Sequence, residues 1–291
     1  MSFTGQAPRD GVSARCGLTE GELVDVGRLT DICNRHDGLD LAFNLETAVP
    51  GGGPDQFLYY RGGALAGFLS MYHGSDGPEV CVAVHPEHRR RGIGRALVDV
   101  AKDACRARGI GRWLFVCEYV SAAGRAFVEA ARARYRFSEY RMRYEAGGGA
   151  PEDPPGPPLL RRAGVEDVDF VVRARTVSFG RPEDATRERV VRNLAKPTHR
   201  IYVARVEGGP VGTLGVNEEG HVYIVGFAVL PEHRGRGIGR RMLSEVVRVL
   251  RSEGWTDIRI EVATANENAL SLYRSCGFQE TATYGFYEMV L

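Results

Sequence analysis

The sequence lacks the features that mark membrane, secreted and nucleic-acid-binding proteins. No segment of its 291 residues approaches the roughly 20 apolar residues that span a bilayer, and its first residues have no charged-then-apolar signal pattern. Lys plus Arg number 38 against 37 Asp plus Glu, a formal charge of +1, so no global basic field would attract nucleic acid or an anionic membrane. We therefore expect a cytoplasmic protein whose partner is a small molecule, with neither nucleic acid nor membrane involved.

Signs of disulfide and metal chemistry are also scarce. The six cysteines show no CxxC or other metal-binding spacing, which predicts reduced and mostly buried thiols. His85 and His88 could form a metal-binding pair, but the sequence offers no further ligands near them. We predict that the protein has no metal site.

One motif is present twice. Residues 86–97 read PEHRRRGIGRAL, and residues 231–242 read PEHRGRGIGRRM. Each copy follows an apolar run that predicts a strand, 80–84 and 223–230, and precedes a stretch with the apolar period of a helix. Glycines at the start of a helix let an anion approach the backbone N–H groups closely. The motif therefore predicts two anion-binding loops.

The arginines of the motif strengthen this prediction. A helix N-terminus carries about half a positive charge and disfavours clustered cations, so these arginines conflict with the helix that follows them. Such conflicts are expected where a bound partner resolves them, and a pyrophosphate would do so through charge-assisted hydrogen bonds. The clustered residues are Arg89, Arg90, Arg91 and Arg95 in one copy and Arg234, Arg236, Arg240 and Arg241 in the other.

The chain divides into two similar halves. Residues 146–158, AGGGAPEDPPGPP, have the composition of a linker. They separate an N-terminal domain, 1–145, from a C-terminal domain, 159–291, in which strands and helices are predicted in the same order. The predicted elements include a strand at 56–61 and helices at 165–177, 183–195 and 268–275. The predicted fold class is a mixed α/β (α+β) unit used twice.

The repeated loop resembles the coenzyme A pyrophosphate loop of the GNAT acetyltransferase superfamily, which has the pattern Arg-x-x-Gly-x-Gly after a strand. The resemblance implies two tandem GNAT-like domains, each with a central mixed, mostly antiparallel sheet flanked by helices. It also implies acetyl-CoA as the acyl donor and an amine as the acceptor. The matching residues are Arg89, Gly92 and Gly94 in the first copy and Arg234, Gly237 and Gly239 in the second.

The same resemblance implies which residues contact coenzyme A. In relatives, backbone groups of the strand before the loop bind the thioester and the pantetheine amides, and the loop binds the pyrophosphate. In the second half the implied residues are Phe227, Ala228, Val229, Arg234, Gly235, Arg236, Gly237, Ile238, Gly239, Arg240 and Asn266; in the first half they are Val82, Val84, Arg89, Arg90, Arg91, Gly92, Gly94 and Arg95.

A second family-like segment occurs in the C-terminal half alone. It runs from Asn266 to Phe278 as NxxAxxLYxxxGF, and the resemblance implies that it holds the pantetheine arm and that Tyr273 is the catalytic acid. A phenol, with an ordinary pKa of about 10, stays protonated until a thiolate forms beside it. In the first half, counting from the glycine loop places Val128 opposite Tyr273, whereas counting from the final phenylalanine places Arg132 there. Neither is an acid, so we predict that the first domain binds coenzyme A without turnover or is structural.

The general base is less clearly indicated. Period-two alternation puts residues 219, 221 and 223 on one face of a strand, which makes Glu219, His221 and Tyr223 candidates. Many members of the family carry a carboxylate where this chain has Tyr223. The predicted function is an N-acetyltransferase that transfers the acetyl group directly within a ternary complex; the alternative is a coenzyme A-responsive binding or scaffold protein. The sequence leaves open whether the protein is a monomer or a homodimer.

Overall fold

The computed structural model describes residues 10–45, 49, 51–74, 77–145, 159–218 and 221–291. The predicted linker, 146–158, lies outside these ranges. The chain forms two compact units: unit 1 comprises residues up to Ser138 together with Ala282–Leu291, and unit 2 comprises Glu139–Thr281. Within the described ranges, no helix has both the length and the apolarity that a membrane crossing requires.

Unit 1 begins with a strand and a long helix and continues with an antiparallel meander. Its first helix starts at a capping box, in which the Thr19 hydroxyl accepts a hydrogen bond from the Glu22 N–H and the Glu22 carboxylate accepts one from the Thr19 N–H. The elements are β1 (Gly11–Arg15), α1 (Glu20–Asp37), β2 (Gln56–Arg61), β3 (Ala64–His73), β4 (Pro78–Val84), α2 (Ile93–Arg106), β5 (Arg112–Glu118) and α3 (Ala122–Ala130).

Unit 2 repeats this order, with two helices in place of the single first helix. These two helices correspond to the helical segments predicted from the sequence at 165–177 and 183–195. The remaining elements are β6 (Arg134–Tyr144), β7 (Leu160–Arg162), α4 (Val168–Phe179), α5 (Glu183–Leu194), β8 (His199–Val206), β9 (Gly209–Asn217), β10 (Val222–Val229), α6 (Ile238–Ser252), β11 (Ile258–Ala263), α7 (Glu267–Ser275) and β12 (Phe278–Val290).

The sheet of each unit is mostly antiparallel and contains one parallel pair. In unit 1, β1 to β4 pair in sequence order as antiparallel neighbours, and β4 then pairs with β5 in parallel. In unit 2, β7 to β10 do the same, and β10 pairs with β11 in parallel. In each unit, the helix that follows the glycine loop connects the two strands of the parallel pair. This glycine-loop helix is α2 in unit 1 and α6 in unit 2. The mixed, mostly antiparallel sheets expected from the sequence are therefore confirmed.

The last strand of each sheet comes from the distant part of the chain. In unit 1, β5 pairs with residues 284–290 of β12, and in unit 2, β11 pairs with residues 139–143 of β6. The order of elements along the sequence does not reveal this exchange, because each closing strand follows the other unit's last helix. Unit 1 is thus complete only with the C-terminal residues of the chain.

The glycine-loop helices carry much of each core. In unit 1, α2 buries Ile93 and Leu97, and in unit 2, α6 buries Met242, Leu243 and Val246, all at 3% exposure or less. These apolar positions recur at the three-to-four-residue spacing of a helix that lies on a sheet. The start of each helix, and with it each loop, is therefore held rigidly at the end of a central strand.

Candidate functional site

The two glycine loops have closely similar backbones. In unit 2, Gly235 and Gly237 both have a φ of 73°. In unit 1, the equivalent residues are Arg90, with a φ of 61°, and Gly92, with a φ of 83°. A left-handed conformation is unusual for arginine, so the fold imposes it on Arg90. The loop geometry is therefore kept even where the sequence has lost a glycine.

The helices that follow the loops have open N-termini. Gly92 and Gly237 are the N-cap residues of α2 and α6, and neither helix has a side-chain cap or an acidic residue in its first turn. By contrast, Thr19 caps α1, and Asn266 caps α7 with its side chain. The first N–H groups of α2 and α6 are thus left for an external acceptor, which fits a pyrophosphate.

The first arginine of each loop fastens the loop to the preceding strand. Arg89 Nε donates to the Val84 carbonyl at 3.0 Å, and Arg234 Nε donates to the Val229 carbonyl at 2.9 Å. The terminal Nη nitrogens of these two arginines have different partners in the two units. Arg89 makes a bidentate ion pair with Asp37, at 3.0 and 2.6 Å, whereas Arg234 Nη2 donates to the Ser178 hydroxyl at 3.3 Å. The Arg89 guanidinium holds the pKa of Asp37 below its usual range.

The other predicted loop arginines are exposed, except for the half-buried Arg241. Arg90, Arg91 and Arg95 in unit 1, and Arg236 in unit 2, extend into solvent around the helix start. Arg240 is also exposed and donates from Nη1 to the Ser275 carbonyl at 3.1 Å. These side chains stand where they can reach a bound anion.

The parallel strands diverge beside each loop. In unit 2, the described pairs run from Val222–Ile224 to Ile258–Ile260, although β10 continues to Val229. In unit 1, the described pairs are Glu79 with Leu114 and Val80 with Phe115, although β4 continues to Val84. A cleft occupies the divergence in unit 1, lined among others by Val82, Phe115, Cys117 and Phe127. An extended ligand arm fits between strands that part in this way.

The strand before the loop is bulged in unit 2 and regular in unit 1. The pairing of β10 with β9 shifts between Val225 and Ala228, and Gly226 within the shift has a φ of 58°. The pairing of β4 with β3 runs from Pro78 to Val84 without a shift. A bulge leaves one residue outside the ladder and frees its backbone groups. Unit 2 therefore has, at Phe227, backbone available to bind a ligand carbonyl.

Tyr273 lies next to this bulge. It is on α7, its side chain is buried, and its ring packs edge-on against the ring of Phe227 at a centroid distance of 5.9 Å. On its other side it approaches Phe278 at 6.3 Å. Burial raises the pKa of Tyr273, so the phenol is protonated and remains a hydrogen-bond donor at neutral pH.

Helix caps resolve which residue of unit 1 corresponds to Tyr273. Asn266 caps α7 by accepting from the Ala269 N–H at 3.2 Å, and Ser121 caps α3 by accepting from the Gly124 N–H at 3.0 Å. Both helices have nine residues. Counting from either cap, the residue opposite Tyr273 is Val128, which is also buried. Of the two alignments left open by the sequence, the one counted from the glycine loop is therefore correct.

The three candidate bases occupy different places. Glu219 lies outside the described residues. His221 precedes β10 at the end away from the bulge, roughly 16 Å along the strand from Gly226, and its Nδ1 lies 3.4 Å from Asp257 Oδ2. Tyr223 is closer, and the Arg141 guanidinium lies 5.8 Å from its ring centroid. Burial raises the pKa of Tyr223, so its phenol is protonated.

Sequence reasoning missed two neighbouring polar residues on this side of unit 2, the buried Arg175 and the half-buried His199. Arg175 on α4 is 7% exposed and lies against Gly226, and His199 on β8 is close enough for its charge to interact with Arg175. Burial, reinforced by Lys196 and Arg175, lowers the pKa of His199 to about 4. The available signal was Gly226 itself, because a glycine inside an apolar strand often marks a bulge or a close approach.

Two segments of the chain, residues 33–131 and 169–278, match the model of the Acetyltransferase (GNAT) family. The chain belongs to this family, as two tandem domains. It is an acyltransferase, and members of the family use acetyl-CoA as the acyl donor. The membership of the GNAT family that the repeated loop implied is thus confirmed.

Similar proteins share the two-domain length. The mycothiol acetyltransferase of Thermomonospora curvata is 28% identical over 286 residues, covering 94% of this chain and 95% of that protein. A GCN5-related N-acetyltransferase from Sphaerobacter thermophilus superposes with a TM-score of 0.76 at 20% identity, covering 96% of this chain and 95% of that one. A tandem GNAT protein from the clavulanic acid biosynthesis pathway gives 0.70 at 19% identity, covering 96% and 98%. The solved structures establish likeness of fold.

Proposed function

We propose that the protein transfers an acetyl group from acetyl-CoA to the amine of a small molecule, and that the chemistry takes place in unit 2. One observation carries this proposal: the bulge at Gly226 and the buried Tyr273 are neighbours in unit 2, whereas unit 1 has a regular strand and Val128. The acetyltransferase named for mycothiol among the relatives supports a small-molecule amine as the acceptor.

Acetyl-CoA would be held by backbone groups more than by side chains. The uncapped first turn of α6 offers N–H groups to the pyrophosphate, and Arg236 and Arg240 add charge-assisted bonds. The divergence of β10 from β11 accommodates the pantetheine arm, as an added strand edge would. Backbone N–H groups around Phe227 are fixed before the reaction, which suits them to stabilise charge on the thioester oxygen.

The transfer itself is direct. An alkylamine with a pKa near 10.4 is about one part in a thousand free base at pH 7, so its deprotonation costs roughly 4 to 5 kcal/mol. A base or a water chain takes that proton. His221 and Glu219 are the candidate bases, whereas the protonated phenol of Tyr223 can relay a proton but cannot take up this one. The amine nitrogen forms a bond to the carbonyl carbon, the C–S bond breaks, and Tyr273 donates its proton to the departing thiolate. Burial raises the pKa of the Cys276 thiol, which argues against an acyl-cysteine route.

Unit 1 has a different role in this proposal. It has the loop and the cleft but not the bulge or the tyrosine, so it binds coenzyme A without turnover or supports the fold. The competing function is a coenzyme A-responsive binding protein in which neither unit catalyses. The tyrosine beside the bulge favours the enzyme, because a binding protein needs no proton donor there.

Thiol release separates the two functions. Native protein is mixed with acetyl-CoA and a broad panel of amines, and the Tyr273→Phe variant is compared on every amine that reacts. We expect kcat to fall by at least about 100-fold, the usual contribution of a general acid. Tyr144→Phe is the matched control, because Tyr144 is equally buried and also packs against Phe278. Coenzyme A binding without thiol release from any amine would favour the binding protein.

A further inference from the structure

We propose that Arg175 binds a carboxylate on the acceptor, so that the substrate is an amine that carries a carboxylate, as amino acids do. The inference rests on the proposed function, because it names the substrate class of that same site. Arg175 is on α4, which packs against β9 and β10, the two strands that form the bulge.

Among the residues that the structure describes, no anion neutralises the buried Arg175 guanidinium. It is 7% exposed, and its Nε and Nη2 atoms have no hydrogen-bond partner in the part of the chain that the structure describes. Burial lowers the pKa of Arg175, and the charged groups that lower it further, Arg189 and Arg181, are cations themselves. Leaving a cation buried and unpaired is strongly unfavourable, so such a group is expected where a ligand supplies the missing charge.

The two unpartnered atoms form the edge that binds carboxylates. Nε and Nη2 point in the same direction and match the two oxygens of a carboxylate. Arg259 in the same unit uses this edge, donating from Nε and Nη2 to the Asp257 carboxylate at 2.9 and 2.7 Å. The Asp257 carboxylate thus pairs with Arg259, and the carboxylate of a ligand would pair with Arg175 in the same way.

Gly226 shapes the position of Arg175. A Cβ atom at Gly226 would lie 2.7 Å from Cζ and 2.9 Å from both Nε and Nη2. Because the carbon is the nearest of the three atoms, this Cβ would sit over the guanidinium plane. The absence of a side chain at Gly226 therefore lets the guanidinium plane lie flat on the bulge, with its Nε–Nη2 edge buried. Gly215 on β9 also faces Arg175, with 3.2 Å between its Cβ position and Nη2.

The position on the bulge limits the size of the acceptor. The acyl group is proposed to bind at the backbone of Phe227, the residue after Gly226. An acceptor that contacts Arg175 with its carboxylate and places its amine at the thioester therefore needs the two groups only a few bonds apart. The protonated phenol of Tyr223 shares this face, since Tyr223 precedes Val225 by two residues and Val225 contacts Gly215. The adjacency of Gly226 and Phe227 therefore favours α- or β-amino acids and their close derivatives as acceptors.

Unit 1 has no such group at the corresponding position. Arg175 precedes Ser178, the partner of Arg234, by three residues; Asn34 precedes Asp37, the partner of Arg89, by three residues. The Asn34 side chain is satisfied within unit 1, donating to the Leu41 carbonyl and accepting from the Leu41 N–H, both at 3.0 Å. The unpartnered cation is thus placed in the unit that has the bulge and the tyrosine.

The test compares matched acceptors in two proteins. L-α-amino acids and β-alanine are assayed for acetylation beside their carboxamides, with native protein and with Arg175→Gln. We expect native protein to prefer the acids, and the acid-to-amide ratio of kcat/KM to fall by about 10- to 100-fold in the variant, the usual loss of hydrogen bonds to a charged group. An acid and its amide differ in amine pKa. This difference cancels when the acid-to-amide ratios of the two proteins are compared, because both proteins are assayed with the same pairs. Arg173→Gln, at an exposed neighbour on α4, should leave the ratio unchanged.

Other outcomes have distinct meanings. If Arg175→Gln slows acids and amides equally, the arginine acts on the thioester oxygen and the carboxylate inference is overturned while the proposed function stands. If native protein acetylates both classes equally and the variant does the same, the inference is likewise overturned. If no amine reacts, the proposed function fails, and N-acetyl amino acids with their amides serve as binding probes in thermal shift with coenzyme A present. A carboxylate-dependent rise in Tm that Arg175→Gln abolishes would still support the inference, and its absence would overturn it.

A stability measurement excludes a purely structural role. Arg175→Met keeps the length of the side chain and removes the buried charge, so we expect it to raise the Tm of the ligand-free protein. A lower Tm would show that the guanidinium stabilises the fold by itself, which would contradict a group kept for a ligand.

Discussion

The two units share the geometry of the glycine loop and differ in what surrounds it. Both have a left-handed turn, an open helix N-terminus and diverging parallel strands. Unit 2 adds a bulge at Gly226, the phenol of Tyr273 and a buried Arg175 whose Nε and Nη2 have no partner among the described residues, whereas unit 1 has a regular strand, Val128 and a satisfied Asn34. Under the proposed function, the difference means that a glycine loop can keep its backbone geometry in a unit that lacks the proposed catalytic groups.

Unit 1 also uses its loop arginine differently. Asp37 neutralises Arg89 with two hydrogen bonds, whereas the hydroxyl of Ser178 leaves the charge of Arg234 in place. An internal ion pair stabilises the fold but removes positive charge from the loop. We therefore expect unit 1 to bind coenzyme A less tightly than unit 2.

The largest effect is expected from filling the bulge. Gly226→Ala puts a Cβ at a φ of 58° and within 2.7 Å of the Arg175 guanidinium, so the backbone or the arginine must move. A displacement of about 1 Å costs on the order of 100-fold in rate, and we expect kcat/KM to fall by that factor. The check is steady-state kinetics on whichever amine the native protein acetylates.

Gly62 provides the control for this change. It has the same φ of 58° in a turn of unit 1, and its Cβ position meets nothing within 4 Å. Gly62→Ala therefore carries the same backbone strain without the contact, and its kcat/KM should match the native value. Equal losses in the two alanine variants would mean that strain, and not the geometry of the bulge, explains the result.

A smaller effect concerns the stability of unit 1. Asp37→Asn removes one partner of the ion pair with Arg89, and we expect a loss of about 2 kcal/mol in the free energy of unfolding at pH 7. Because Arg89 lowers the folded-state pKa of Asp37, the pair contributes fully above the unfolded value of about 3.9, and its contribution is lost as the pH falls through the folded pKa. Denaturant unfolding between pH 7 and pH 3 measures this.

The variant should lose less stability than native protein over that pH range. Ser178→Ala in unit 2 is the comparison, and its effect should be smaller and independent of pH because a hydroxyl does not titrate there. An Asp37→Asn variant with the native pH dependence would show that other carboxylates account for acid unfolding.

Much of the fold could be predicted because local signals agreed with it. The strand predicted at 56–61 is β2, and the helices predicted at 183–195 and 268–275 are found at Glu183–Leu194 and Glu267–Ser275. Apolar periodicity and glycine position determine such elements. The exchange of closing strands could not be predicted, because pairing between residues so distant in sequence leaves no local pattern.

The residues of the candidate site likewise fall into those that the sequence could predict and those that it could not. Loop residues and Tyr273 could be singled out because they belong to a contiguous motif in the sequence. Arg175 could not, because an arginine on a helix is ordinarily solvated, and only the fold shows that its guanidinium is buried against Gly226. The base prediction depended on strand alternation, which identifies a face but gives no distance to the bulge.

Charge reversal in the two loops tests most directly whether binding is duplicated and catalysis is not. Arg236 and Arg91 are both exposed at equivalent positions, so Arg236→Glu and Arg91→Glu change the charge of the two glycine loops equally. Thiol release and calorimetric titration with coenzyme A are measured on both variants. We predict that Arg236→Glu abolishes turnover, whereas Arg91→Glu leaves kcat within about twofold of native and weakens only the binding assigned to unit 1. Equal loss of turnover in the two variants would contradict the division between the units.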